Sequence, residues 1–274
     1  VPDLNGAGIR AEGNGLTIIN SGFFDNENGI LGPDGGTLTI DRSEFARNGV
    51  GDRGRTHNIY VGYASRVTVT ASYFHQAFIG HNFKSRARET RIENSYFMDG
   101  TSGTASYQVD VPEGGTVFLR GNLLQKGPNA DNSILVNYGS EGQLAGATHT
   151  LTMLHNTLVS TYPGGSFLNA APFVQSVTLG ANIFAGTGSP AKFNSGIASK
   201  VAETHSLVTA AANFPNATNT ATPNFWPSAG ALGSTLVSAI PDPSYTMDAP
   251  RLFVTRAVDT GAGTRRIGAL QAAP

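Results

Sequence analysis

One phrase recurs along this chain, and it constrains the fold more than any other feature. It consists of alternating apolar residues, then a small or amide residue, then an apolar pair. Copies occupy residues 16–24, 38–45, 67–74, 90–97, 117–124, 152–158 and 177–184. Their anchors are Ser21, Ser43, Ser72, Ser95, Asn122, Asn156 and Asn182, at steps of 22, 29, 23, 27, 34 and 26 residues. Seven copies with a variable period, and no helical pattern between them, predict a solenoid of strands.

The alternation inside each copy places every second residue on one buried face. Leu16 and Ile18, Leu38 and Ile40, and Val67 and Val69 are therefore expected to stack inward, rung on rung, at a strand spacing of about 4.8 Å. The Ser and Asn anchors then line up at a bend, where an inward amide can bond the backbone of its neighbours. They are assigned a structural role and no chemistry. The uneven steps place insertions in loops, chiefly 46–56 and 139–149.

A second strand is expected after each anchor, at 29–31, 58–62, 81–85, 106–111, 133–138 and 166–169. This arrangement, the Asn28-Gly29-Ile30 turn and the closing phrases at 259–262 and 266–269 resemble the pectate-lyase-like superfamily. The resemblance implies an all-β fold, a right-handed parallel β-helix with irregular C-terminal turns. It says little about the reaction, because one solenoid hosts lyases, hydrolases, epimerases and adhesins. The rungs are expected over 1–185. Residues 186–274 are expected to form last irregular rungs and a tail packed on the solenoid, all in a single domain. Trp226, in that tail, is expected to pack rather than to bind a sugar.

Composition narrows the function. Charged residues are 14% of the chain, against a usual value of about 25%, and Gly reaches 34 of 274 residues. A net charge of -1 argues against a nucleic-acid partner. No apolar run approaches the roughly 20 residues of a membrane span. The absence of cysteine excludes thiol catalysis and Cys-zinc sites. The start at Val1-Pro2-Asp3 is expected to be that of a processed or trimmed chain, and a secreted, periplasmic or cell-surface location is expected.

Charge is concentrated. Arg53, Arg55, Arg66, Lys84, Arg86, Arg88 and Arg91 lie between residues 52 and 91, with only Asp52 and Glu89 opposing them. His57, His75 and His81 fall in the same window. Strand alternation gives an outward column of Tyr60, Lys84, Asp110 and Asn137, beside outward Asn58, Asn82 and Gln108. A phenol, an amine, a carboxylate and amides on one sheet suit a ligand with an acidic group. The register is set by parity, and a one-residue slip would turn these side chains inward. His57 and His81, at the starts of adjacent strands, suit proton transfer near neutral pH.

The expected function is a polysaccharide lyase acting by β-elimination on an acidic, uronic-acid-containing glycan. Arg86 would partner the substrate carboxylate, Lys84 or His81 would be the base, and Tyr60 or His57 the acid. Arg55, Asn58, Asn82, Arg88, Tyr107, Gln108, Asp110, Asn137, Tyr138 and Glu141 would bind or orient substrate. A C5-epimerase uses related groups. An inverting glycoside hydrolase would instead place Asp110 and Glu141, with Asp99 as a further candidate acid, around the scissile bond. A non-catalytic glycan-binding solenoid is the third alternative. No cofactor or metal is expected: calcium would need an acidic cluster, and zinc on His57 and His81 lacks an evident third ligand.

Overall fold

A computed structural model describes residues 6–50, 55–232, 236–237 and 265–269. Three parallel sheets of eight strands each stack into an all-β solenoid of about seven turns. The first sheet holds Asn28–Leu31, Ile59–Val61, Lys84–Ser85, Val109–Val111, Ile134–Tyr138 and Ser166–Ala170 between its edge strands Ala7–Arg10 and Ala191–Phe193. The second holds the alternating part of each repeat, from Gly15–Ile19 to Val201–Thr204, and the third holds the apolar pair, from Gly22–Phe24 to Leu207–Ala210.

Each turn therefore contains three strands, where the sequence pattern suggested two. The reason lies one residue before each anchor. Asn20, Arg42, Ala71, Asn94, His155, Ala181 and His205 all adopt left-handed backbone, and Gly121 does so in the fifth copy. A single left-handed residue turns the chain sharply without a loop, so the apolar pair starts a strand of its own.

The expected inward faces are those observed. In the second sheet Leu38 pairs with Val67 and Ile40 with Val69 across adjacent rungs, and all four are buried. The third sheet adds an aromatic stack. Phe23, Phe45, Phe74 and Phe97 lie with ring centroids 4.9, 4.6 and 5.0 Å apart and nearly parallel planes. Leu124, Leu158 and Phe184 continue the same column.

The anchors form a continuous hydrogen-bond ladder. The side-chain oxygen of each accepts the backbone N–H of the anchor one rung before it: Ser43 from Ser21, Ser72 from Ser43, Ser95 from Ser72, Asn122 from Ser95, Asn156 from Asn122, and Asn182 from Asn156. Ser206 extends it by accepting from Asn182. Isolated from water, these N–H groups would otherwise be unpaired at a cost of about 1–3 kcal/mol each.

A second amide ladder lies at the corner between the third and first sheets. Asn26 donates to Asn48, Asn48 to Asn58, Asn58 to Asn82, Asn82 to Gln108, and Gln108 to the carboxylate of Asp99. Asn58, Asn82 and Gln108 are wholly buried. Their expected outward position is corrected, as is that of Asp99 as a further candidate acid: Asp99 is wholly buried, and burial pushes its carboxyl above its ordinary pKa despite nearby Lys126. Residues 81–83 precede the two-residue strand Lys84–Ser85 and lie in the bend, where strict alternation does not hold.

The solenoid continues past residue 185 through Ala191–Phe193, Val201–Thr204 and Leu207–Ala210. Ala211, Phe214, Ala217 and Phe225 then pack over the outer face of the third sheet against Tyr73, Tyr96, Met98 and Leu123, with Trp226 partly buried beside them. Among the described residues no helix is long and apolar enough to cross a membrane. The chain start at Val1, Arg53 and the phrase at 259–262 lie outside the described residues.

Candidate functional site

The outward column of the first sheet is present in the expected register. Lys84 pairs with Tyr60 on one side and with Asp110 on the other, and Asp110 pairs with Asn137. Asn169 extends the column, donating to the side chain of Asn137 at 3.2 Å. The column is not an open groove, however. Lys84, Asp110 and Asn137 are nearly or fully buried, and loop 139–149 reaches them through Glu141 on Lys84 and Ser140 on Asn137.

Asp110 is the centre of this cluster. Its Oδ2 lies 3.2 Å from Nε2 of His81 and 3.5 Å from Nζ of Lys84, and its Oδ1 accepts from Asn137 at 2.7 Å. Burial alone would push its carboxyl up. The His81 hydrogen bond and charge, the Lys84 charge and the Asn137 amide outweigh burial and hold it below its ordinary value.

Glu141, from the loop, brings a second carboxylate. Its Oε1 accepts from Lys84 Nζ at 2.7 Å, and its Oε2 pairs with Arg86. Burial opposes ionisation of Glu141, but the two cations hold its pKa below the usual range. Arg86 also pairs with Glu113 and donates from Nε to the Tyr60 hydroxyl at 3.0 Å. Burial disfavours the Arg86 charge, yet Glu141 and Tyr60 raise its pKa overall, so the guanidinium stays charged.

An aromatic column runs beside the ionic one. The rings of His57 and His81 stack at 4.7 Å, and Tyr107 lies 5.0 Å beyond His81. Nδ1 of His57 accepts the backbone N–H of His81 at 3.0 Å, which fixes His57 as the tautomer protonated on Nε2. Burial, and then the charges of His81, Lys84 and Arg86, hold its pKa well below the ordinary imidazole value. Nε2 of His81 faces Asp110, while its Nδ1 is shielded from water and has no hydrogen-bond partner. Tyr107 is half-buried, and burial followed by the charges of Asp110 and Glu141 raises its pKa.

No protein family matches this chain, and neither does any curated protein or solved structure. The chemistry is therefore read from geometry.

Several expected members fall elsewhere. Tyr138 is buried in the core, where its hydroxyl donates to the Gly115 carbonyl at 2.7 Å, so its substrate-binding assignment is corrected. Arg88 reaches the loop instead, donating to the Gly146 carbonyl at 2.8 Å. Arg55 is exposed on the turn before His57. The basic window is also divided. Arg66 and Arg91 lie on the second sheet, paired with Glu89 and Glu93. His75 bonds Glu44 on the outer face of the third sheet.

Glu113 and Tyr63 complete the cluster and were not singled out from sequence. The Tyr63 hydroxyl donates to Glu113 at 2.9 Å, on the oxygen that pairs with Arg86. The available signal for Glu113 was its position in a Gly-containing turn two residues after Val111. Among the described residues no group of three or more His, Asp or Glu is arranged to hold a metal ion.

Proposed function

We propose that this protein is a polysaccharide lyase that cleaves a uronic-acid-containing glycan by β-elimination on the outer face of the first sheet. The observation that carries this reading is the carboxylate already held between Lys84 and Arg86, that of Glu141. Two cations converging on one carboxylate, with a phenol and an imidazole alongside, make a receptor for a uronate group. Glu141 must swing away for a substrate carboxylate to take its place.

The proton removed in such a reaction sits on the carbon next to the carboxylate, and it becomes acidic as that carboxylate is neutralised. Arg86 and Lys84 would supply the neutralisation, which strengthens as charge develops in the enolate-like transition state. His81 suits the base. Asp110 orients its Nε2–H, and its Nδ1 has no partner but is buried, so a substrate must uncover it to be deprotonated there. Lys84 suits it less, because its Nζ is already engaged by the carboxylates of Asp110 and Glu141. Tyr60 suits the acid: its oxygen accepts from Arg86, leaving its own proton for the leaving oxygen. As the C–H bond breaks, its electron pair forms the new carbon–carbon double bond, the C–O bond to the leaving sugar breaks, and that oxygen takes the Tyr60 proton.

The hydrolase alternative fits the site less well. A glycosidase acid must hold its proton near neutral pH, with a raised pKa. Asp110 and Glu141 are both held below their ordinary values, with Lys84 between them. The likeness of the repeat phrases to the pectate-lyase-like superfamily agrees with a glycan substrate, and this reading carries with it a location outside the cytoplasm.

The test is a screen of acidic polysaccharides read by ultraviolet absorbance and by reducing ends. A lyase produces both signals, because elimination leaves a conjugated double bond. A hydrolase produces reducing ends alone, and a non-catalytic binder produces neither.

A further inference from the structure

We infer that Tyr63 is a sugar-stacking platform next to the carboxylate subsite, so that the protein binds an oligosaccharide through one uronate carboxylate and the face of an adjoining ring. The proposal rests on the carboxylate subsite described above and extends it by one sugar unit.

Tyr63 lies in the bend between Ile59–Val61 and Arg66–Thr70, and half of it is exposed. Exposed aromatic rings normally swing freely, but this one is fixed at both ends. Its backbone N–H donates to Asp34 Oδ1 at 2.9 Å, and its hydroxyl donates to Glu113 Oε1 at 2.9 Å. A ring held by its polar tip keeps its apolar faces toward solvent at little further entropic cost on binding.

Position gives the ring its ligand. Glu113 Oε1 accepts from both Tyr63 and Arg86, so the phenol and the guanidinium converge on one atom. A sugar whose carboxylate lies on Arg86 and Lys84 would place its neighbour along the chain over the Tyr63 ring. The C–H face of a pyranose and an aromatic face are complementary surfaces. Stacking of this kind is worth roughly a five- to tenfold change in affinity.

The experiment is calorimetric titration of a hexuronate monosaccharide and of the matching tri- and tetrasaccharides into the parent protein, Tyr63→Ala and Tyr63→Phe, with melting temperatures confirming that each variant is folded. The parent is expected to bind the oligosaccharides more tightly than the monosaccharide. Tyr63→Ala should lose most of that gain, its ratio of oligosaccharide to monosaccharide affinity falling roughly five- to tenfold. Tyr63→Phe, which keeps the ring, should retain most of the gain. An unchanged ratio of oligosaccharide to monosaccharide affinity in Tyr63→Ala overturns the platform alone. No binding of any uronate by the parent overturns the carboxylate subsite and the platform with it.

Discussion

The ammonium of Lys84 lies 2.7 Å from Oε1 of Glu141, a residue 57 positions further along the chain. The same carboxylate also meets Arg86, so one loop side chain satisfies both cations of the site. The loop backbone is tied down separately: Glu141 N–H donates to the Pro112 carbonyl at 2.8 Å and Leu144 N–H to the Glu113 carbonyl at 2.9 Å. Only the side chain needs to move for the cations to be released.

Glu141→Gln removes the internal competitor while keeping the shape of the side chain. The variant is expected to bind a uronate oligosaccharide several-fold more tightly than the parent. Because Glu141 is partly exposed, its ion pairs contribute little to the fold, and stability should change by no more than about 1 kcal/mol. Calorimetric titration together with thermal melting checks both parts. Equal or weaker uronate binding in Glu141→Gln would show that its carboxylate does not compete for the site.

The anchor ladder makes a prediction about the fold alone. Asn156 accepts the Asn122 N–H at 2.9 Å and donates to the Leu119 carbonyl at 2.9 Å and to Asn182 Oδ1 at 3.0 Å, all out of water. Asn156→Ala strands a buried donor and acceptor and should cost about 3 kcal/mol. Asn156→Ser retains an oxygen at the position that Ser43, Ser72 and Ser95 use in earlier rungs, so it should lose clearly less. Denaturant unfolding of the two variants compares them directly, and equal losses would contradict the ladder.

This ladder was legible in the sequence because its residues recur at the same place in each phrase, and so were the inward pairs Leu38 with Ile40 and Val67 with Val69. The column Tyr60, Lys84, Asp110 and Asn137 was legible for the same reason: alternation holds within the strands. It fails at bends. Asn82 shares the parity of Lys84 but precedes the strand, and its amide turns into the corner ladder. The covering of the site was not legible either, because it depends on where loop 139–149 folds back. A net excess of Arg and Lys in one window did not reveal that Glu113 and Glu141 would arrive from two other turns to neutralise Arg86.

The left-handed bends offer a way to stabilise the protein. Ala71 adopts φ 47° directly before Ser72, where Gly121 stands in the fifth copy. A left-handed alanine is strained by roughly 1–2 kcal/mol, whereas glycine accepts the conformation freely. Glycine gives back part of this through its larger unfolded entropy. Ala71→Gly is expected to raise stability by about 0.5–1 kcal/mol, measured as a higher melting temperature. A lower melting temperature would mean that the Ala71 methyl contributes more through packing than its backbone costs.

Acid should weaken the fold through His57. Burial and the neighbouring His81, Lys84 and Arg86 charges hold its folded-state pKa well below the ordinary 6.5, and protonating Nδ1 would break the hydrogen bond from His81. Between the lowered folded value and 6.5 the unfolded chain binds a proton that the folded chain does not. Stability is therefore complete above the ordinary imidazole range and falls as pH drops through it, with a limiting slope of about 1.4 kcal/mol per pH unit for one such group. His149, whose pKa is also lowered by burial, adds in the same direction. Asp110 does not contribute in this window: its pKa is lowered from 3.8, so the stability it confers is present above that value and is lost only in stronger acid. Melting temperature is expected to fall between pH 7 and pH 5 in the parent. His57→Gln, which can retain an acceptor for His81 without a titrating ring, should show a shallower fall. The same pH slope in both proteins would remove His57 as the source.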